Sequence, residues 1–267
     1  MKRDLAADGP DLGRTNPRAL RLRISVVIPT WRDTENLAAL LPRLSAIAGL
    51  HQIIVVNASR DSKSEKIAAD WGAIFLRLSR PNRGAQMNAG ALAATGDVIL
   101  FQHADTEITG AHFQAIEIAL RKPEIIGGAF YRKFDGRHPR LMWLESVARF
   151  LSRHGGTLFG DQSVFVRREI FQELGGFAKI PLMEDVEFSR RLRRAGKVAL
   201  LDPPVQTSDR HHARKGAWRT TVRNALFIVL YNFGISPFRL HRWYYPSAEI
   251  PTRARGAARA ASAASLN

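Results

Sequence analysis

The sequence predicts an α/β protein: a doubly wound, mostly parallel sheet flanked by helices, with a helical C-terminal extension. Three observations predict it. Short β-branched runs at 24–28, 52–56 and 98–101 have the character of buried strands. The segments between them carry apolar residues at helical spacing, and strands alternating with helices argue for parallel crossover units. A late stretch, 222–235, is apolar almost all round and stands apart from that alternation.

In chain order, residues 1–22 are polar and charged, with Gly9, Pro10, Gly13 and Pro17, and read as a disordered arm. The folded domain is expected over 23–205. Its first strand ends at Pro29-Thr30, and Asp33 or Thr34 can cap the helix that carries Leu37, Leu40, Leu41, Leu44 and Ile47. A second strand at 52–56 turns at Asn57. A helix over 62–71 is stopped by Gly72, and a third strand follows at 73–78. Pro81 to Gly84 opens a small-residue helix whose Ala89, Gly90, Ala91, Ala93 and Ala94 permit close packing on the sheet, and the central strand 98–101 comes next. A helix is expected at 111–120. The second half is less regular: strands at 125–130, 163–166 and 197–201, and helices at 141–152 and 168–174. Another helix begins after Glu184-Asp185, with Val186, Phe188 and Leu192 on its apolar side. A C-terminal helical segment is expected over 206–250, and the Ala-, Arg- and Ser-rich tail 251–267 reads as disordered.

The chain has 267 residues, enough for one large domain with a sizeable core. It has no cysteine, which excludes disulfides, thiolate zinc sites and cysteine nucleophiles. Forty Lys plus Arg against 24 Asp plus Glu give a net charge of +16, which attracts polyanions without choosing among them. None of the common nucleic-acid modules is present, so no nucleic-acid partner is expected. The first residues lack an apolar run of the signal-peptide kind, and a cytoplasmic location is expected.

The stretch 96–107 ends a buried strand in polar side chains: His103, Asp105 and Glu107. Alternation along an extended chain would send all three to one side, beyond the carboxyl end of a central strand, where open α/β sheets bind ligands. Carboxylates suit Mg²⁺ or Mn²⁺, and an imidazole among them favours Mn²⁺. The alternative is that Asp105 and Thr106 cap the following helix.

Several motifs recur in order: Val26-Val27-Ile28-Pro29-Thr30, the 54–56 strand with its turn, Arg83-Gly84-Ala85-Gln86-Met87-Asn88-Ala89-Gly90, the 96–105 stretch, Gly160-Asp161-Gln162, Gly175-Gly176-Phe177 and Glu184-Asp185. Together they resemble family 2 glycosyltransferases of the GT-A fold, over roughly 24–201. The runs His103-Ala104-Asp105-Thr106 and Gly160-Asp161-Gln162 look like a bacterial "glycosyltransferase 2-like" subgroup. The resemblance implies an inverting, metal-dependent hexosyltransferase-type enzyme using a UDP- or GDP-sugar. Asp105 matches the last carboxylate of the family's Asp-X-Asp motif, which contacts the Mn²⁺ or Mg²⁺; His103 stands where the first acid belongs, and Glu107 is a candidate to compensate. Asp185, supported by Glu184, matches the catalytic base; both acids would also favour the positive end of the helix they begin.

Pro29, Thr30 and Asn57 leave the first two strands at their carboxyl ends and are expected to face the nucleotide. The family usually has aspartate where Asn57 stands. Glu35 either reaches that pocket or is a solvated first-turn acid. Arg83, Gly84 and Asn88 open a helix that suits a phosphate or sugar hydroxyl. Asp161 and Gln162 could hold hydroxyls, or form a turn.

The 222–235 segment is shorter than the roughly 18 residues of a spanning helix. Arg210, Arg214, Lys215, Arg219 and Arg223 precede it; Arg239, Arg242, Trp243, Tyr244 and Tyr245 follow. This pattern fits peripheral contact with the anionic inner face of a cell membrane and a lipid-linked acceptor, or equally a helix docked on the core. His211 and His212, just upstream, read as a surface pair. Two other functions were weighed. A sugar-phosphate nucleotidyltransferase would need a Gly-rich loop where Pro29-Thr30-Trp31-Arg32 stands. A catalytically silent binding module for nucleotide-sugar or lipid phosphate is kept in play by His103 and Asn57.

Overall fold

The structure, a computed structural model, describes residues 22–134, 156–207 and 217–245. The 1–22 arm up to residue 21, the 141–152 helix, His211, His212 and the 251–267 tail lie outside the described residues.

The first half follows the alternation in the sequence: β1 (Ile24–Thr30), α1 (Thr34–Ser45), β2 (Leu50–Asn57), α2 (Lys63–Asp70), β3 (Ile74–Arg77), α3 (Arg83–Ala93) and β4 (Val98–Phe101). These four strands are parallel, in the spatial order β3-β2-β1-β4. A two-residue strand β5 (Thr106–Glu107) and α4 (Gly110–Leu120) lead to β6 (Ile125–Phe134). Beyond residue 156 come a single 3-10 turn (Gly160–Gln162), β7 (Phe165–Arg167), α5 (Arg168–Glu173), α6 (Glu184–Ala195) and β8 (Lys197–Thr207). Helices α7 (Ala217–Asn232) and α8 (Pro237–Tyr244) end the described chain.

The eight strands form one mixed sheet, β3-β2-β1-β4-β7-β6-β8-β5. Strand β7 runs against β4 and β6, and β5 against β8, while β6 and β8 are parallel. Strands β6 and β8 outrun their expected lengths. Pro203 and Pro204, which would end a regular ladder, sit where the β6–β8 register shifts between Phe130 and Arg132, so the pairing resumes at Val205. Short β5 carried no periodic signal of its own; it exists because β8 offers it an edge.

The core lies in two layers, one on each face of the sheet. Ile24, Val26 and Ile28 of β1 pack with Leu37, Leu41 and Leu44 of α1 on one face, and Val27, Ile54 and Val56 pack with Met87 and Ala91 of α3 on the other. The small residues of α3 permit that approach. A Cβ on Gly90 would stand 2.3 Å from Val27 Cγ1 and 3.0 Å from Val56 Cγ2, so only glycine lets the helix axis come this close. The same layer continues into an aromatic cluster of Phe101, Phe171, Phe177 and Phe188, with ring centroids 4.5–5.6 Å apart.

Candidate active site

Thr30 and Asn57 are register partners at the carboxyl ends of β1 and β2, and both are buried. Asn57 Oδ1 accepts from the Ser59 backbone N–H at 2.5 Å and from Ser59 Oγ at 2.7 Å. Its buried Nδ2 and the buried Thr30 Oγ1 have no partner among the described residues. Two adjacent orphaned polar atoms at strand ends are costly unless a ligand or water completes them. Gln86 of α3 fixes this rim, donating to the carbonyls of Thr30 and Val56 at 2.8 Å each. Pro29 is half-buried beside Thr30, whereas Glu35 is exposed in the first turn of α1, matching its solvated alternative.

The acids at the start of α6 are brought to Arg83 at the start of α3. Arg83 Nε donates to Glu184 Oε1 at 2.6 Å and Nη2 to Asp185 Oδ2 at 3.1 Å. Asp185 Oδ2 also accepts from Gly160 N–H at 3.0 Å, and Oδ1 from Val186 N–H at 2.8 Å. Side-chain exposures are 36 % for Arg83, 6 % for Glu184 and 15 % for Asp185, so this is a nearly desolvated cluster open on the guanidinium side. Met183 precedes the pair in the left-handed region (φ 71), as does Ser163 (φ 51) after the Asp161-Gln162 turn. Such conformations cost about 1–3 kcal/mol each and persist where surrounding contacts over-determine them. Here they aim the acids and the turn at one another.

The alternation expected of His103, Asp105 and Glu107 fails because the chain turns at Ala104-Asp105 before β5 begins. Glu107 is carried away: β5 pairs with β8, and the exposed Glu107 carboxylate is ion-paired with Arg43 at the end of α1. His103 Nε2 instead faces Arg83 Nη1 at 3.3 Å. Half-buried Asp105 accepts from the Thr106 hydroxyl at 3.2 Å and has no other hydrogen bond among the described residues. Neither Asp105 nor Thr106 caps the next helix; Thr109 stands at its N-cap, its N–H donating to His112 Nδ1 at 3.0 Å. Among the described residues no three His, Asp or Glu side chains converge as a ready metal cage. A Mg²⁺-type ion needs only one or two protein carboxylates when a diphosphate supplies further oxygens, and Asp105 fits that part. His103, turned to a guanidinium, and Glu107 do not.

Asp161 is paired with Arg132 of β6, and its Oδ1 is buried without a partner among the described residues. Gln162 is structural: its Oε1 accepts from Phe159 N–H at 2.8 Å. So is Asn88, which lies past the helix start and bridges to the Phe177 backbone, donating to its carbonyl and accepting from its N–H at 2.8 Å each. A Cβ on Gly160 would lie 2.9 Å from Arg83 Nη2 and 3.3 Å from His103 Nε2, so this glycine lets the turn close over the cluster.

Four supports escaped the reading of the sequence. Gln86 and Arg132 are two. The others are buried Gln102 and Ser163: Ser163 Oγ donates to Gln102 Oε1 at 2.7 Å, while Gln102 Nε2 donates to the carbonyls of His103 (3.1 Å) and Thr106 (2.7 Å). A glutamine that directly follows an apolar strand, as Gln102 follows 98–101, was the available signal, since a buried amide demands partners.

Electrostatics follow from this packing. Burial pushes the Asp185 carboxyl above its ordinary value; Arg83 opposes this and Glu184 reinforces it. The apolar wall of Met87, Phe101, Phe177 and Phe188 behind Asp185 is the source of that desolvation. Burial resists the charge on Arg83, but Glu184 and Asp185 outweigh it and raise the guanidinium further. His103 is pushed down by burial and then by Arg83, against Asp105, Asp161 and Asp185. Asp161 is held low: burial opposes its charge, but Arg132, His103 and Arg83 prevail.

Polar side chains at the ends of β1 and β2, a carboxylate after β4 and an acid pair starting α6 lie in a chain whose sequence was compared with known families. Residues 25–175, more than half of the chain, match glycosyl transferase family 2. The chain belongs to that family. Its sheet is that of the GT-A fold. The mannosyltransferase PcManGT from Pyrobaculum calidifontis, solved with GDP-Man and Mn²⁺, superposes with a TM-score of 0.62 at 18 % identity, covering 93 % of this chain and 77 % of that one. S. aureus TarS gives 0.58 at 17 % identity over 70 % of this chain and 37 % of its own, so the present chain spans well under two thirds of that enzyme. Glucosyl-3-phosphoglycerate synthase from Mycobacterium tuberculosis, with Mn²⁺, UDP and glucosyl-3-phosphoglycerate, gives 0.54 at 20 % identity over 77 % and 79 %. No curated protein matches the sequence.

Proposed function

We propose that this family 2 enzyme transfers a sugar, with inversion, from a UDP- or GDP-sugar to an acceptor hydroxyl, with Asp185 as the base and Asp105 as the carboxylate for a divalent ion. The carrying observation is Asp185. Its carboxylate is nearly buried, backed by aromatic rings, raised above its usual range and fixed by two backbone N–H groups, so it presents one oxygen edge in a set direction. A base near its operating pH takes the proton of the acceptor hydroxyl as the acceptor oxygen attacks the anomeric carbon opposite the leaving diphosphate. Thr30 and Asn57, with their unpartnered polar atoms, suit the nucleotide. Arg83, ion-paired with Glu184 and Asp185 yet 36 % exposed, suits a phosphate. A divalent ion on Asp105, Mn²⁺ or Mg²⁺, would neutralise charge on the departing nucleoside diphosphate. The solved GT-A structures with Mn²⁺ and with GDP-Man, UDP-GlcNAc or UDP support this donor class.

A second reading, a binding module without turnover, draws on His103 facing Arg83 where a carboxylate ligand is expected. Titration of UDP and of GDP, each with and without Mn²⁺, into the protein and into Asp105→Ala separates the two. Mn²⁺-dependent binding of one nucleotide, lost in the variant, supports the transferase; binding indifferent to Mn²⁺ and to the substitution favours the module. Peripheral contact with the cytoplasmic face of a membrane belongs to the same proposal, and the C-terminal helices bear on it.

A further inference from the structure

Helices α7 and α8 use only part of their apolar surface inside the protein. Phe227 and Leu240 are buried against Met183 and Val186, with Tyr231, Ile235 and Tyr244 packed around them. The same two helices leave Leu226, Val229, Phe233, Phe238 and Trp243 exposed, with Phe233 83 % exposed where α7 gives way to α8. Single exposed apolar residues are ordinary; five large ones on two adjoining short helices form a patch that wants a partner.

The charge of the segment says which. From 217 to 245 there are four arginines, Arg219, Arg223, Arg239 and Arg242, and no Asp or Glu. Arg223, Arg239 and Arg242 are exposed, and Arg223 lies over the Tyr244 ring with its guanidinium carbon 4.1 Å from the centroid. Trp243 and Tyr245, exposed near the end of α8, have an apolar body and a polar tip, as side chains at a lipid–water boundary do. A second copy of this chain would bring the same uncompensated arginines face to face on molecules of net charge +16. An anionic bilayer offers acyl chains to the one set of side chains and phosphates to the other. Neither helix crosses it: among the described residues no helix is long and apolar enough.

We infer that α7 and α8 are an interfacial anchor that lays this face on an anionic phospholipid surface, with Phe233 and Trp243 inserted and Arg223, Arg239 and Arg242 among the headgroups. The anchor sits on the catalytic element itself. Met183 and Val186, which it covers, bracket Glu184 and Asp185, and Tyr245 is close enough to Arg83 and Glu184 for their charges to act on its hydroxyl. Docking therefore holds the start of α6 near the bilayer surface and favours a lipid-borne acceptor. That consequence rests on the transferase reading; the docking does not.

The test is flotation of the full chain with vesicles of phosphatidylcholine alone and of phosphatidylcholine with phosphatidylglycerol, alongside the nucleotide titration. The protein is expected to float with the anionic vesicles only. Phe233→Ser with Trp243→Ser should weaken partitioning by about a hundredfold or more, from the roughly 1.5–3 kcal/mol of each large buried side chain. Arg239→Gln with Arg242→Gln should weaken it by about thirtyfold, from about 1 kcal/mol per arginine near such a surface. Both variants should bind nucleotide as the parent does. No flotation, or flotation unchanged by both double variants, overturns the anchor while leaving the transferase reading intact. A concentration-dependent dimer that Phe233→Ser dissociates, without vesicle binding, would assign the face to a second copy instead.

Discussion

The parallel-strand half of this family 2 chain and its acid-bearing half are built differently. From β1 to β4, the candidate side chains are placed by backbone regularity. Thr30 and Asn57 stand side by side because parallel strands end in register, and α3 lies close because Gly90 and its alanines allow it. From 102 to 185 the candidate side chains are placed by polar contacts between residues far apart in sequence. Gln102 with Ser163, Asn88 with Phe177, Asp185 with Gly160 and Arg83 with Glu184 each close a loop that has no periodic pattern. The first half is held by its fold. The second must be held by its own hydrogen bonds, so, on the proposed function, single substitutions there should be felt in chemistry before they are felt in donor binding.

The largest expected effect is therefore in the second half. Asp185→Asn keeps the size and one of the two backbone-accepting oxygens but removes the proton sink, and kcat should fall by about 10²–10⁴-fold. The donor Kd should change by less than about threefold, since the proposed nucleotide contacts, Thr30 and Asn57, are on β1 and β2; a parallel loss of both would place Asp185 in binding rather than catalysis. The pH profile gives an independent check. Because burial raises the Asp185 carboxyl, the acid limb of kcat/KM should lie above the ordinary carboxylate value of about 4 and be absent in the asparagine variant. For stability the sign is opposite. The folded protein binds this proton more tightly than the unfolded chain, so the contribution of Asp185 is complete below its unfolded pKa and is lost as pH rises through the folded one. Asp161, held low, contributes above its unfolded pKa and loses that contribution on acidification. Chemical denaturation of Asp185→Asn and Asp161→Asn across pH 3 to 7 should show these two trends in opposite directions.

Arg83→Gln comes next. It leaves Glu184, 6 % exposed, without its cation. A stranded, fully buried charge costs roughly 3–5 kcal/mol; with the guanidinium 36 % exposed, a loss of about 2–3 kcal/mol is expected in denaturant unfolding. Arg83→Gln combined with Glu184→Gln should recover much of it. If the single variant is as stable as the parent, the acid pair is solvated and the desolvated cluster is not what fixes Asp185.

What could be read in the sequence divides along the same line. The strands 24–28, 52–56 and 98–101 and the helices between them were legible because burial on both faces of a parallel sheet leaves β-branched runs, and a helix against it leaves a periodic stripe. The helix opening at Glu184-Asp185 was legible for the same reason. The turn at Ala104-Asp105 was not: alternation is a property of extended chain, and Gln102 after the strand signalled a need for partners without saying that they would be the carbonyls of His103 and Thr106. Strand β5 and the prolonged β8 were invisible because each exists only through the other. Asn88 looked like a ligand at a helix start, yet its amide was needed to hold Phe177, a residue 89 positions away.

Within the regular half, Gly90→Ala tests how closely that packing is set. The new Cβ would meet Val27 Cγ1 at 2.3 Å, between a helix and a strand that are both in the core. Overpacking of this kind costs about 1–3 kcal/mol, and the better helix propensity of alanine returns up to about 1. A net loss of about 1–2 kcal/mol is expected, with donor affinity falling little, because Gln86 still ties α3 to the ends of β1 and β2. A neutral or stabilising outcome would mean that α3 moves off the sheet freely, and that the first half is not the rigid one.

The smallest effect should come from Glu107, the acid that spacing alone would enrol as a metal ligand. Its carboxylate reaches Arg43, with side-chain exposures of 56 % and 60 %, on the far side of the turn from Asp105. An exposed pair contributes about 0–1 kcal/mol, so Glu107→Gln should unfold within about 0.5 kcal/mol of the parent. Mn²⁺-dependent nucleotide binding should be the same within about twofold, whereas Asp105→Asn should reduce it by tenfold or more. If Glu107→Gln weakens Mn²⁺-dependent binding as strongly as Asp105→Asn does, then donor binding must draw β5 away from β8 and bring the alternating set together after all, and the turn at Ala104-Asp105 would be a moving part of the site.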